Sequence, residues 1–168
     1  QSQYHNLPIV NGVGQKDGRE FEARNVKCTI NERDASLQMD IAAAYPKEAG
    51  IVTWNRTVTL NRTRNRVELT DDYVLTEKTK SLQQVFMTIC GIDVSKEGKI
   101  KLTGANDTEL FIQYDPAMWS VTTEQPSTEG MEYSSFKTKW GGKKVMRIIL
   151  SSKKDVLKGR SKFTFEKK

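Results

Sequence analysis

Apolar residues recur at every second position along most of the chain. Leu37, Met39 and Ile41 alternate with Gln38 and Asp40. Val52, Trp54, Val58 and Leu60 alternate with Thr53, Asn55, Thr57 and Thr59. Leu157, Phe163 and Phe165 alternate with Lys158, Arg160, Lys162 and Thr164. A period of two sends one set of side chains to a buried face and the other to water, so these segments are predicted as half-buried strands.

Two segments depart from that alternation. Ser81 to Cys90 and Lys144 to Ser151 carry adjacent apolar residues, Val85, Phe86 and Met87 in one and Ile148, Ile149 and Leu150 in the other. Strands apolar on both sides are covered on both sides, so these two are predicted to be central. Turn residues punctuate the rest: Asn11-Gly12, Lys16-Asp17-Gly18, Glu97-Gly98, Gly104 to Asp107 and Gly141-Gly142. Thr123 to Gly130 (TEQPSTEG) is the most loop-like stretch. Helix signals are nearly absent; the alanines of Asp40 to Lys47 (DIAAAYPK) suggest one turn, but Pro46 stops it, and the segment reads as strand running into loop. Short strands and regular turns predict an all-β fold, an antiparallel β-sandwich with little or no helix.

Composition adds bounds. The 168 residues fit one domain, with 36% hydrophobic and 29% charged residues, polar yet far from the depleted apolar content of a disordered chain. The net charge of +6 favours an anionic partner. The basic residues are scattered in pairs such as Lys143-Lys144 and Lys153-Lys154 among acidic ones, which describes mostly a solvated surface. No aromatic residues interleave with a basic stripe as on a single-strand platform, so nucleic acid is not the expected partner. No run of eighteen apolar residues and no basic-then-apolar leader predicts a membrane span.

Candidate chemistry is sparse. The glycines of Gly12 to Gly18 (GVGQKDG) lack dinucleotide-loop spacing and the Lys-Ser/Thr of a P-loop, and read as a hairpin turn. Cys28 and Cys90 have no CxxC partner; both sit in apolar stretches and read as buried free thiols, with one long-range disulfide the alternative. His5 is the only histidine, which leaves a triad without an identifiable nucleophile and a zinc site without ligands; no metal and no cofactor is expected. Sequons begin at Asn55, Asn61 and Asn106 and read as chance. Alternation puts Arg56 on the face of Trp54, Val58 and Leu60. A charge there requires an acidic partner or a sheet edge, the sharper alternative being a grip on a carboxylate or sulfate.

Four stretches together carry a resemblance: QYHNLPIVNGVGQ at Gln3 to Gln15, GREFEARNV at Gly18 to Val26, AAAYPKEAGIVTWNRTVTL at Ala42 to Leu60 and VELTDDYVL at Val67 to Leu75. The chain resembles, from residue 3 to about residue 150, the C-terminal β-sandwich region of the heparinase II/III-like polysaccharide lyases. The resemblance implies a bacterial enzyme, secreted or periplasmic, with a helical toroid upstream of this region. It acts by β-elimination on a uronate-containing polysaccharide lying between toroid and sandwich. A base removes the proton α to the uronate carboxylate, a positive or hydrogen-bonding group neutralises that carboxylate, and an acid, usually a tyrosine of the toroid, protonates the leaving oxygen.

His5 matches the histidine that the family's sandwich presents to the cleft. Asn6, Asn11 and Gln15 on the same segment are candidates for hydrogen bonds to sugar, with turn duty the alternative for Asn11, and Arg24 is a weaker candidate, since alternation puts it with Val26, Cys28 and Ile30 and away from Ala23 and Asn25. Residues 1 to 168 are thus expected to form a single sandwich domain, a fragment inactive alone, with acidic polysaccharide and the upstream toroid as partners. The alternative is a non-catalytic carbohydrate-binding or structural module.

Overall fold

The structure, a computed structural model, describes residues 2–127 and 143–167. Its strands form two antiparallel sheets. Strands β1 (Pro8–Val10), β6 (Leu82–Thr88), β11 (Met146–Ser152) and β10 (Trp119–Glu124) make a four-stranded sheet in the order β1-β6-β11-β10. The second sheet has eight strands: β2 (Arg24–Ile30), β3 (Asp34–Asp40), β4 (Ile51–Asn61), β5 (Arg66–Leu75), β12 (Lys158–Lys167), β9 (Glu109–Gln113), β8 (Lys99–Thr103) and β7 (Gly91–Asp93), in that spatial order. The all-β sandwich is the fold that the alternation predicts. The doubly apolar segments become β6 and β11, the two inner strands of the smaller sheet, and Val85, Phe86, Ile148, Ile149 and Leu150 are all buried.

The core lies between the sheets. Trp54, Leu69, Ile112 and Phe163 of the larger sheet face Leu82, Phe86, Ile148 and Leu150 of the smaller. Phe86 meets Phe163 and Phe165 edge to face, with centroids 5.3 and 5.2 Å apart, the arrangement that opposes ring edge to ring face.

Strand β2 overturns an expectation. All seven of its residues are exposed, including Cys28, and Ile30 is 70% exposed. An eight-stranded sheet extends past a four-stranded one, and β2 is the edge of that overhang, so alternation there marks a face that no second layer covers. The pattern also breaks within the strand. Asn25 has a φ of 53°, and the register with β3 shifts between Arg24 and Lys27. This bulge puts Arg24 opposite Asp40 and Lys27 opposite Gln38, on the face away from Cys28 rather than beside it. Both cysteines are free.

The DIAAAYPK segment leaves β3 at Asp40 and makes one 3₁₀ turn, Ala42–Ala44, before Pro46. Asp40 organises it, its carboxylate accepting the N–H of Ala42 and that of Trp54, each at 3.0 Å. Of the loop-like TEQPSTEG stretch, Thr123 and Glu124 end β10; its residues 128–130, like Gly141-Gly142, lie outside the described residues. Among the described residues no helix is long and apolar enough to cross a membrane.

Candidate functional site

The segment from Gln3 to Gln15 runs along the edge of the smaller sheet and turns back. Asn11 and Gly12, at φ 53° and 78°, form a two-residue turn closed by reciprocal bonds between Val10 and Val13. Two consecutive left-handed residues are the signature of a type I′ hairpin turn, which Asn-Gly adopts at least cost. The turn folds Gln15, Lys16 and Asp17 back beside His5 and Asn6, and together they border an open hollow of about 890 Å³. That is within the size range of small-ligand sites. Lys16 supplies positive charge and Asp17 negative charge at its rim.

His5 is exposed at this hollow, and its imidazole makes no hydrogen bond among the described residues. Its backbone is held. The N–H of Leu7 donates to the His5 carbonyl at 2.9 Å, and the Arg147 guanidinium donates to the carbonyl of Gln3 at 3.2 Å. Asn6 also lines the hollow, but its side-chain oxygen is engaged by the N–H of Met87 at 2.8 Å. Gln15 stands with them. Asn11 does not; its side-chain oxygen accepts from the Thr79 hydroxyl at 2.7 Å and the Lys80 N–H at 3.1 Å, so it serves the turn. Arg24 lies on the β2 edge and does not border the hollow.

Behind the hollow is a buried polar cluster. Arg56 of β4 and Asp71 of β5, 6% and 0% exposed, face each other in register and pair through two bonds of 2.7 Å, Nε and Nη2 each donating to one carboxylate oxygen. The same guanidinium donates to Gln84 Oε1 across the sandwich at 2.9 Å and to the carbonyl of Asn6 at 3.0 Å. Close by, the Tyr45 hydroxyl donates to the carbonyl of Pro8 at 2.8 Å. Burial pushes the Tyr45 phenol well above its ordinary range; the Arg56 charge pulls down and the Asp71 charge pushes up.

Sequence alone places Arg56 on an apolar face and asks for an acid, which Asp71 is. The matching signal lies in VELTDDYVL, where Asp71 falls between Leu69 and Tyr73 on the inward face of its strand. Tyr45 and Gln84 carry no such mark. Among the described residues no three His, Cys, Asp or Glu side chains converge to hold a metal ion.

These features define an antiparallel all-β sandwich with an open, polar hollow at the edge of its smaller sheet. No family model and no curated protein matches the sequence. A solved structure of a heparinase III superposes on 100% of the chain with a TM-score of 0.67 at 15% sequence identity. The chain spans 24% of that protein's length. It therefore shares the fold of one part of a heparinase III chain.

Proposed function

We propose that this chain is the C-terminal sandwich of a heparinase II/III-like lyase that cleaves uronate-containing polysaccharide by β-elimination. The observation that carries the reading is the coincidence of two facts. The whole chain has the fold of a 24% portion of a heparinase III, and His5 stands exposed on a firmly held segment at an open hollow. In this reading the sandwich is one wall of the cleft and His5 faces the uronate. Gln15, Lys16 and the Asn6 amide nitrogen give it hydrogen bonds and charge. The base, the acid and the neutralisation of the carboxylate are completed by a helical toroid encoded upstream, so the sandwich alone does not turn over. The protein is bacterial and secreted or periplasmic.

Incubating the isolated chain with heparin, heparan sulfate, hyaluronan or alginate, and following ultraviolet absorbance of the unsaturated product, should show no steady turnover. Steady product formation would sink the division of labour. In the longer protein, His5→Ala should lower kcat by about 10²-fold or more, the scale of a lost proton-transfer or electrostatic group, with the fold retained. Unchanged turnover would remove His5 from the site. The openness of the hollow and the net charge of +6 favour a second reading, a non-catalytic glycan-binding module. Micromolar binding of heparin by the isolated chain, lost with added salt, would favour that reading.

A further inference from the structure

We infer that the Arg56–Asp71 pair and Tyr45 are positioning residues, a clamp on the main chain of residues 6–8 that fixes how His5 faces the hollow. The functional meaning given to His5 rests on the lyase reading; the clamp itself rests on geometry.

His5 and Asn6 precede the hydrogen-bonded ladder. Strand β1 pairs with β6 from Pro8 to Val10, and beyond it a single main-chain bond to that strand, from the Val85 N–H to the Leu7 carbonyl, continues toward His5. A segment in that position frays unless something ties it down. Here the carbonyls are taken one after another: His5 by the Leu7 N–H, Asn6 by Arg56, Leu7 by the Val85 N–H at 3.1 Å, and Pro8 by Tyr45. Two of these four donors are side chains that reach from the region around the larger sheet.

The chemistry of the pair fits this role better than a purely stabilising one. A buried ion pair recovers little more than its own desolvation cost, and an apolar pair of equal volume serves a core as well. What an apolar pair lacks is direction. Asp71 holds the guanidinium by its Nε and Nη2 edge in a fixed plane, and Gln84 takes a further Nη2 contact. That leaves Nη1 aimed at one carbonyl oxygen, the planar fork being suited to such orientation. Tyr45 repeats the device two residues further on.

Because His5 is the only histidine, its imidazole C–H resonances in a proton NMR spectrum of this chain identify themselves. The double replacement Arg56→Met with Asp71→Leu removes both charges together and leaves neither buried alone. It should unfold cooperatively. Its His5 resonances should move toward the free-histidine position and sharpen, and amide exchange at Met87, whose N–H is held by Asn6, should rise at least tenfold. Tyr45→Phe deletes one hydroxyl and should accelerate exchange at Val85 and Met87 with a smaller movement of the His5 signals. It carries the test alone should the double variant fail to fold. Folded variants whose His5 resonances and Val85 and Met87 exchange match the wild type would overturn the clamp. These readouts need no substrate, so they distinguish failure of the clamp from failure of the lyase reading. In the longer enzyme the double variant should lower kcat more than it raises KM.

Discussion

Gly159 lies directly opposite Tyr73 in the β5–β12 pair, and a Cβ at position 159 would stand 2.6 Å from the Tyr73 phenol oxygen and 2.8 Å from Cζ. The ring cannot retreat easily. It is 2% exposed and stacked on Trp54 with centroids 4.6 Å apart. Gly159→Ala should therefore cost about 1–3 kcal/mol, the usual scale for overpacking. Thermal unfolding should show it as a Tm lowered by several degrees; an unchanged Tm would mean the Trp54–Tyr73 stack yields freely.

Asn11 should prove a turn residue. Asn11→Ala puts an alanine at φ 53° and deletes the acceptor for Thr79 and Lys80. A loss of about 1–3 kcal/mol is expected from strain and the orphaned donors. Asn11→Gly should recover the strain component only. Denaturant midpoints of the two variants measure the difference, and equal midpoints would contradict the account.

Alkaline pH should weaken the fold through its buried phenols. Burial, followed by the negative charge of Asp71, pushes Tyr73 up from 10.0 to about 12. A folded-state value above the unfolded one means that the folded state holds its proton longer. The stability linked to Tyr73 is thus complete below pH 10 and is lost as pH rises toward about 12. Tyr45 acts in the same direction. In a spectrophotometric titration, the tyrosinate signal of these two phenols should be withheld until the chain unfolds. The Tyr73 hydroxyl has no hydrogen-bond partner among the described residues. Tyr73→Phe should accordingly raise stability at neutral pH by about 1 kcal/mol and reduce the alkaline loss.

Acid should act through Glu68. The hydrogen bond from Lys162, at 2.9 Å, is the chief reason its carboxyl is held below the ordinary 4.5, with the charges of Lys162, Arg66 and Arg64 adding to it against the cost of burial. A depressed value contributes stability above the unfolded pKa, and that contribution disappears as pH falls through the folded one. Lys162 is half exposed, so the pair is worth only about 0.2–1 kcal/mol. Lys162→Met should return Glu68 toward 4.5, read by NMR titration of the carboxyl, and flatten the acid limb of stability.

The sandwich was legible because period-two alternation reports burial wherever a second layer exists. It misled at β2. There Val26, Cys28 and Ile30 keep an apolar rhythm with no layer above them, and the Asn25 bulge, which no local signal marks, moves Arg24 off their face. The candidate site was half legible. His5, Asn6 and Gln15 do share a hollow, since the Asn11-Gly12 turn that joins them is encoded locally. Tyr45 was invisible as an anchor because its partner is a carbonyl 37 residues away, and a carbonyl has no letter in the sequence. Even so, two of the four stretches that carry the resemblance, Gln3 to Gln15 and Ala42 to Leu60, prove to be two sides of one contact. They meet through Tyr45 and Pro8 and through Arg56 and Asn6, and just past the first stretch the Lys16 N–H donates to the Ala44 carbonyl at 3.2 Å.

That contact grips main-chain oxygens. Every residue type at positions 6 and 8 offers the same carbonyl to Arg56 and Tyr45, so this part of the mounting does not depend on the side chain it holds, whereas the Met87 N–H is held by the Asn6 side chain itself. When the side chain at position 5, on the rim of the hollow, is exchanged, Arg56 and Tyr45 still find the same two carbonyls. A library randomised at position 5 over an unchanged Tyr45, Arg56 and Asp71 would vary what the hollow presents without altering this contact.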